Sequence, residues 1–215
     1  LRYQRPIYNA KAIVLIKDEK KGAGVSELSA FQDIGLMKGG SSLDNEIEIY
    51  KSRSLMMRVV HDLGLQTTYF TKGKIMSQEL YKKSPVNAVL LSHDTLLNKL
   101  NGSVEITIQS PEMYSVSEGG KNTSYKFGQT INSSLGQVKI DRTGIEINQW
   151  KNKSIKIGVT PLMAKVDNYL ARLQVKPINK TSNVIELSIQ DQSKEKAEDI
   201  VNNLIQQHYQ DAIDD

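Results

Sequence analysis

Residues 41–64, SSLDNEIEIYKSRSLMMRVVHDLG, carry the pattern that most constrains the fold. Apolar residues recur there at spacings of three and four, with one slip, and charged residues occupy the opposite side, as in an amphipathic helix. Ser41 or Ser42 is suited to cap the first turn, and Gly64 is suited to the left-handed residue that follows a helix. The stretch therefore predicts one long helix over about residues 42–63.

The first and middle parts of the chain predict strands. Residues 8–17 are apolar on both faces, which favours a strand placed centrally in a sheet. Between residues 102–158, short alternating segments separated by glycine-containing turns predict an antiparallel meander, with one of its strands over residues 144–149. This β-rich stretch is interpreted as an elaboration within a single domain that spans residues 1–215.

The last part of the chain predicts two more helices and a hairpin. Thr160 and Pro161 open a helix, because proline at the first helical position loses no hydrogen bond. Residues 173–190 read as a hairpin, and Asp191 or Ser193 caps a final helix. A sheet assembled partly from strands distant in sequence, packed against the long helix and two others, gives an α+β fold class.

Composition excludes several classes of function. The chain has no cysteine, so disulfides, thiolate nucleophiles and cysteine-ligated metals are excluded. The net charge of +4 comes from basic residues scattered among acids, and aromatics make up only 6% of the chain, which argues against a nucleic-acid surface. The histidines His61, His93 and His208 lie far apart and match no metal-ligand spacing. We therefore expect a non-catalytic chain with no cofactor, no metal and no nucleic-acid partner.

The charged side of the long helix is the candidate functional surface. It carries the five residues Asp44, Glu46, Glu48, Lys51 and Arg53. One interpretation is a solvated face held by pairs along the helix, such as Glu48 with Lys51. The other is an interface between subunits of an oligomer. The residues alone leave both interpretations open.

Several segments of the sequence resemble segments of a known protein family. NEIEIYKSRSLMMRVVHDLGL, from Asn45 to Leu65, resembles a helix near the start of the extracytoplasmic domain of polysaccharide co-polymerases. These are the chain-length determinant (Wzz) proteins and their bacterial tyrosine-kinase relatives (Wzc type), and the wording is most similar to Bacteroides-type members. RPIYNAKAIVLIKDEKKG near the start and the order Ser188-Ile-Gln-Asp, then Lys196-Ala-Glu-Asp, near the end also resemble that family. Residues 102–156 match no motif of it.

The resemblance implies a location and a set of partners. It implies a domain at the periplasmic face of the bacterial inner membrane, between two membrane helices outside these residues. Such proteins form homo-oligomers that regulate the chain length and export of capsular polysaccharide and exopolysaccharide. Their partners are a polysaccharide polymerase, the outer-membrane export machinery and the growing polysaccharide. The Walker motifs and tyrosine cluster of the kinase relatives are absent from this sequence, so the resemblance leaves open whether the parent protein carries a kinase domain.

A binding module is the alternative class of function. A non-catalytic periplasmic glycan-binding module would place an aromatic-lined groove in the β-rich middle. Only Trp150, with Tyr114, Tyr125 and Phe127, is available to line it. Trp150 as a core or strand-end residue is the competing interpretation. An enzyme acting on polysaccharide would need two apposed carboxylates, and the sequence offers no such pair.

Overall fold

The computed structural model describes residues 6–16, 42–73, 77–91, 98–179 and 183–214. These residues form four α-helices and twelve strands in three antiparallel sheets, which confirms the predicted α+β class. The helices are α1 (Ser42–Tyr50), α2 (Arg53–Asp62), α3 (Leu162–Leu170) and α4 (Lys194–Asp214). The strands are β1 (Tyr8–Leu15), β2 (Thr67–Lys72), β3 (Ser77–Glu79), β4 (Val86–Leu90), β5 (Gly102–Ile108), β6 (Met113–Glu118), β7 (Lys121–Lys126), β8 (Thr130–Ser133), β9 (Gly136–Arg142), β10 (Ser154–Val159), β11 (Leu173–Pro177) and β12 (Val184–Asp191).

The chain divides into two compact units. Unit 1 comprises Leu1–Val59 and Tyr169–Asp215, and unit 2 comprises Val60–Asn168. The expectation of a single domain over residues 1–215 stays a prediction, and a single cooperative transition on urea unfolding would support it.

Unit 1 is built on the three-stranded sheet β1-β12-β11. Helix α4 packs on β1 and β12, and α1 packs on β11. The predicted hairpin is confirmed, because β11 pairs with β12 in antiparallel register. The inward residues of the sheet and the apolar stripe of α4 are buried together: Val14, Val175, Ile185, Leu187, Ile189, Ala197, Ile200, Val201 and Leu204.

Strand β1 differs from its prediction as a central strand. Among the described strands it pairs with β12 alone, from Tyr8↔Asp191 to Leu15↔Val184, so it lies at an edge of its sheet. Its outward side chains Ile13 and Leu15 are 68% and 63% exposed. The prediction was wrong because a run that is apolar on both faces indicates two covered faces only if a second layer lies over each of them.

The predicted long helix is two helices, and the break lies at Ser52. The Ser52 carbonyl oxygen accepts from Met56 N at 3.2 Å, and its Oγ accepts from Leu55 N at 3.2 Å. Ser52 is therefore the N-cap of α2, since a serine side chain satisfies an otherwise free amide of the first turn. The single helix over residues 42–63 was a wrong prediction, because an apolar stripe continues across a cap without a change of period. The proposed cap Ser41 lies outside the described residues.

The end of α2 is as predicted. Gly64 has a φ of +61°, the left-handed conformation that favours glycine. Its N–H donates to the carbonyl of His61 at 3.1 Å, and the N–H of Leu65 donates to the carbonyl of Val60 at 2.9 Å. These two bonds form a Schellman motif and satisfy carbonyls of the last turn.

The beginning of α4 carries an ion-pair cluster. Ser193 caps the helix, with its Oγ accepting from Lys196 N at 3.3 Å, and Asp191 Oδ1 accepts from Ser193 N at 2.9 Å. Asp191 also pairs with Lys196 Nζ at 3.2 Å and with Arg172 Nη1 at 2.9 Å. Both residues predicted to cap the helix therefore take part, in different ways.

Unit 2 holds a six-stranded sheet, β3-β2-β10-β5-β6-β7, and a three-stranded sheet, β4-β9-β8. The two sheets share one apolar core that includes Ile106, Ile140 and Ile155. Tyr69 links them, because its hydroxyl accepts from Ala88 N at 2.9 Å while its backbone lies in β2. The alternation seen in the sequence of β5 places its apolar residues in this core and Glu105 in solvent.

The β-rich middle supplies strands β5–β10 but does not pair only with itself. Strand β10 pairs with β2, and β9 pairs with β4, both contributed by the preceding part of the chain. Residues 144–149 do not form the predicted strand. Ile147–Trp150 is instead a short 3₁₀ helix, capped by Glu146, whose side chain accepts from Asn148 N. A local side-chain bond of this kind competes with strand pairing, and the alternation of apolar residues does not reveal it.

Candidate functional site

The predicted charged surface lies on α1, in the turn that follows it and at the start of α2. Asp44, Glu48, Lys51 and Arg53 are exposed, and Glu46 is half-buried. Asp44 and Arg53 have interactions within the chain. Glu48 and Lys51 remain the clearest solvent-facing members of the surface. Its role between subunits stays a prediction.

Glu46 makes a contact that sequence reasoning missed. Its Oε2 lies 2.7 Å from Nε2 of His208 on α4, and the two side chains are 24% and 14% exposed. The His208 ring stacks on Tyr50 with 4.3 Å between centroids and 13° between planes. Because 162 residues separate the two members of the pair, no local spacing signals it. The contact joins α1 to α4 within unit 1.

The same contact buries polar atoms. The hydroxyl of Tyr50 and Nδ1 of His208 have no hydrogen-bond partner among the described residues. Burial raises the pKa of Tyr50 well above its usual value, and the nearby Tyr209 and Glu46 add to the shift. Arg58 forms a further ion pair with Asp211 on α4. The Glu46–His208 contact and the stacking of His208 on Tyr50 fix one side of α1 inside unit 1, whereas Glu48 and Lys51 are exposed.

Unit 2 contains an open groove of about 770 Å³. Residues 111–112, 126–128 and 141–148 line it, and we call it the loop groove because these segments lie at the ends of β7 and β9 and in the loops that follow β5, β7 and β9. Its volume falls in the range typical of small-molecule binding sites.

Backbone hydrogen bonds hold the three segments of the loop groove together. Phe127 N donates to the carbonyl of Glu112 at 3.0 Å, and Gly128 N donates to the carbonyl of Ile140 at 2.9 Å. Arg142 Nη1 donates to the carbonyl of Pro111 at 3.1 Å. Gly128 has a φ of +81°, a conformation that favours glycine at this turn. The groove is thus shaped by the folded chain alone.

The aromatic groove expected for a glycan-binding module is not formed by the four predicted residues together. Tyr114 is fully buried and packs against Tyr125 and Phe127, with ring centroids 6.1 Å and 5.0 Å away. Trp150 packs partly against the core, with Lys153 Nζ 5.3 Å from the centroid of its ring. Only Phe127 lines the loop groove. The sequence shows only that these four residues are aromatic, so it did not reveal that Phe127 lines the groove while the others pack against the core.

The described residues hold no group of three or more histidine, aspartate or glutamate side chains arranged for a metal ion. His61 is exposed in the last turn of α2, where a positive charge is favourable. His93 lies outside the described residues. In this part of the chain, none of the helices combines the length and apolar character needed to cross a bilayer.

The fold and these two surfaces define an α+β protein with an exposed charged surface on α1 and an open groove on its β-rich unit. No protein-family model matches the chain. No curated protein matches it either. Two crystal structures of FlgL from Xanthomonas campestris are structural neighbours. One is 16% identical, covering 66% of this chain and 40% of that chain at a TM-score of 0.24. The other is 14% identical, covering 69% and 48% at a TM-score of 0.24. The chain spans less than half the length of either, and these TM-scores support no inference about fold or function.

Proposed function

We propose that this chain is the extracytoplasmic domain of a polysaccharide co-polymerase of the chain-length determinant type. In this proposal it lies at the periplasmic face of the bacterial inner membrane and acts as a non-catalytic, oligomeric scaffold. It regulates the chain length and export of capsular polysaccharide or exopolysaccharide together with a polymerase and the outer-membrane export machinery.

The proposal rests on the positions in the fold of the sequence segments that resemble the family. The family-like segment at residues 8–15 forms β1, and Ser188-Ile-Gln-Asp lies on β12, which is its antiparallel partner. The family-like segment Lys196-Ala-Glu-Asp lies on α4, which packs on β1 and β12. Segments that are distant in sequence but share one family resemblance thus meet in unit 1. Unit 2 holds the stretch without family motifs, residues 102–156, and also residues 60–65 of the resembling segment that begins at Asn45.

The oligomer in this proposal uses the solvent-facing side of α1. Glu48 and Lys51 there flank Ile49, which is 42% exposed, and Met57 on α2 is 38% exposed. Apolar side chains among charges of both signs suit an interface that fixes register by charge pairing and gains affinity from burial. The interface is isologous or ring-forming, since the same surface is present on every copy.

A glycan-binding module remains the alternative. The loop groove favours it, because the groove offers charged and polar groups beside one aromatic ring. The module would be a monomer whose loss leaves polysaccharide length unchanged. The co-polymerase would be an oligomer whose loss alters it.

The test is deletion of the gene in the bacterium that encodes this chain, with complementation by the complete protein. Gel profiles of surface polysaccharide report chain length, and mass analysis of the complete protein in nanodiscs reports its oligomeric state. We expect an altered length distribution or loss of capsule, restored by complementation, and an oligomer. A monomer together with unchanged polysaccharide would refute the proposal.

A further inference from the structure

The outer edge of β1 is a row of backbone groups open to a further strand. Ile16 N donates to the carbonyl of Asn183 at 2.7 Å, one step beyond the pair Leu15↔Val184. Because hydrogen bonding alternates along an antiparallel strand, the even-numbered residues of β1 bond β12 and the odd-numbered residues face away from it. In the described part of the chain, no strand pairs with β1 on that side. The backbone N–H and C=O groups at this open edge belong to Asn9, Lys11, Ile13 and Leu15.

This edge lacks the features that usually protect the edges of sheets. Strand β1 is eight residues long, contains no proline and keeps a continuous register with β12, without a bulge. Its one charged side chain, Lys11, already pairs with Glu186 on the adjacent strand at 3.3 Å. Ile13 and Leu15, which lie beside the open backbone groups, are both mostly exposed. A long, regular and apolar edge of this kind is a template for the addition of a strand.

The edge of β1 is complementary to a second copy of itself. A twofold axis at Ile13 would place this residue opposite the second copy's Ile13, and Leu15 of each copy opposite Lys11 of the other. The odd-numbered residues then face one another, so the open N–H groups of each copy meet the open C=O groups of the other. The isoleucines form an apolar cross-strand pair, and the lysine methylenes cover the leucine.

The charges are compatible with this register. The two Lys11 residues are about 14 Å apart along the strands, because position 11 of one copy is opposite position 15 of the other. Each Lys11 also keeps its own partner, Glu186. Like charges therefore do not meet across the twofold axis, whereas a register centred on Lys11 would place the two ammonium groups directly opposite each other.

We propose that two copies of this chain associate by antiparallel pairing of their β1 strands, which joins two three-stranded sheets into one six-stranded sheet. An edge about 27 Å long and about 10 Å deep gives each copy a contact of roughly 270 Å², about a third of the ~800 Å² per partner in a standard interface. The contact is therefore weak in dilute solution and is strengthened where copies are held close together. The inference goes beyond the proposed function, because it assigns a contact separate from the α1 surface.

Disulfide trapping of the whole chain tests the pairing, and the chain has no native cysteine that would interfere. In the proposed register the Cα atoms of the two Ile13 residues lie about 5.5 Å apart, which is within the range for a disulfide. Ile13→Cys should therefore cross-link at least about tenfold faster than Met163→Cys, an exposed control position on α3. A mixture of Lys11→Cys and Leu15→Cys chains should cross-link faster than Lys11→Cys chains alone.

Charge substitutions at Ile13 test the register without disturbing the core, because this side chain is mostly exposed. In Ile13→Lys and in Ile13→Glu, two like charges face each other across the twofold axis, so each variant should remain monomeric. An equimolar mixture of the two variants should form a heterodimer. Analytical ultracentrifugation at millimolar chain concentration measures these states. Glu48→Lys, on the α1 surface, should associate like the unmodified chain.

Three results would overturn the proposal. The first is an equal rate of cross-linking for Ile13→Cys and Met163→Cys, and the second is a dimer that persists in Ile13→Lys. The third is protection of the Ile13 and Leu15 amides from hydrogen exchange that does not change with chain concentration, since another part of the same chain would then cover the edge. The deletion experiment is independent of all three. Altered polysaccharide length together with any of them would reject the β1 pairing and keep the co-polymerase.

Discussion

The ion-pair cluster at the start of α4 predicts unequal costs for removing its members. The side chains of Asp191 and Lys196 are 4% and 7% exposed, whereas that of Arg172 is 32% exposed. Asp191 is the shared member, because it pairs with both cations and also accepts from the Ser193 amide. Its removal should therefore destabilise the chain most.

The magnitudes follow from burial. Asp191→Asn leaves the Lys196 ammonium in a buried site without this carboxylate, and such a loss costs about 3–5 kcal/mol of unfolding free energy. Arg172→Gln breaks a pair that is open to solvent on one side, so its cost should be about 1 kcal/mol or less. The cost of Lys196→Met should lie between these two values. The methionine side chain replaces the packing of the lysine methylenes, and Asp191 keeps its bonds to Arg172 and the Ser193 amide.

Urea unfolding of the whole chain measures these differences. Far-ultraviolet circular dichroism follows the helices, and hydrogen exchange of the β12 and α4 amides locates the effect in unit 1. The urea midpoint should move while the slope of the unfolding free energy with urea concentration stays constant, since that slope reports the surface exposed on unfolding. A cost for Asp191→Asn no larger than that for Arg172→Gln would show that burial does not set the energetics of this cluster.

Three further predictions concern single side chains. Ser52→Ala should lower the unfolding free energy by about 1 kcal/mol, whereas Ser52→Asp should preserve it, because aspartate can also cap the helix. Equal urea midpoints for Ser52→Ala and the unmodified chain would argue against a cap at this position. Burial raises the pKa of Tyr114 to about 12. Above about pH 10 the unfolded chain loses this proton first, so stability should fall by about 1.4 kcal/mol per pH unit, and the decline should be shallower in Tyr114→Phe. If the unfolding free energy of the unmodified chain and of Tyr114→Phe fell equally above about pH 10, the predicted contribution of Tyr114 would be refuted. Under the proposed function, Glu48→Lys should reduce the mass of the oligomer formed by the complete protein, whereas Lys121→Glu on unit 2 should leave that mass unchanged. An unchanged mass in both variants would exclude the α1 surface as the interface.

Local patterns in the sequence predicted the ends and partners of several elements. Gly64 marked the end of α2, Ser193 lay at the start of α4, and the β11–β12 hairpin followed from two alternating segments with a polar turn. Each of these features depends on residues that are near one another in the chain. The physical cause and the sequence signal therefore lie in the same short window.

Features that depend on distant residues were not predictable in this way. The Glu46–His208 contact, the edge position of β1 and the pairing of β4 with β9 arise only when remote segments meet. Ser52 is a different case. Its serine was visible in the sequence, but the apolar stripe on both sides of it favoured a continuous helix, and the choice between helix and cap depends on packing.

The interruption of unit 1 by unit 2 has a consequence for the order of folding. Lys11 and Glu186, which form an ion pair between β1 and β12, are separated by 175 residues, and closing so long a loop is entropically costly. Val60–Asn168 is continuous, and β2 pairs with β10 near its two ends, so folding of unit 2 shortens that loop before β1 meets β12. A chain truncated before Val184 would keep all the described strands of unit 2 but leave β1 without its partner. Val14, which is buried when β12 is present, would then be exposed together with Ile13 and Leu15, and an unpaired apolar strand of this kind favours aggregation.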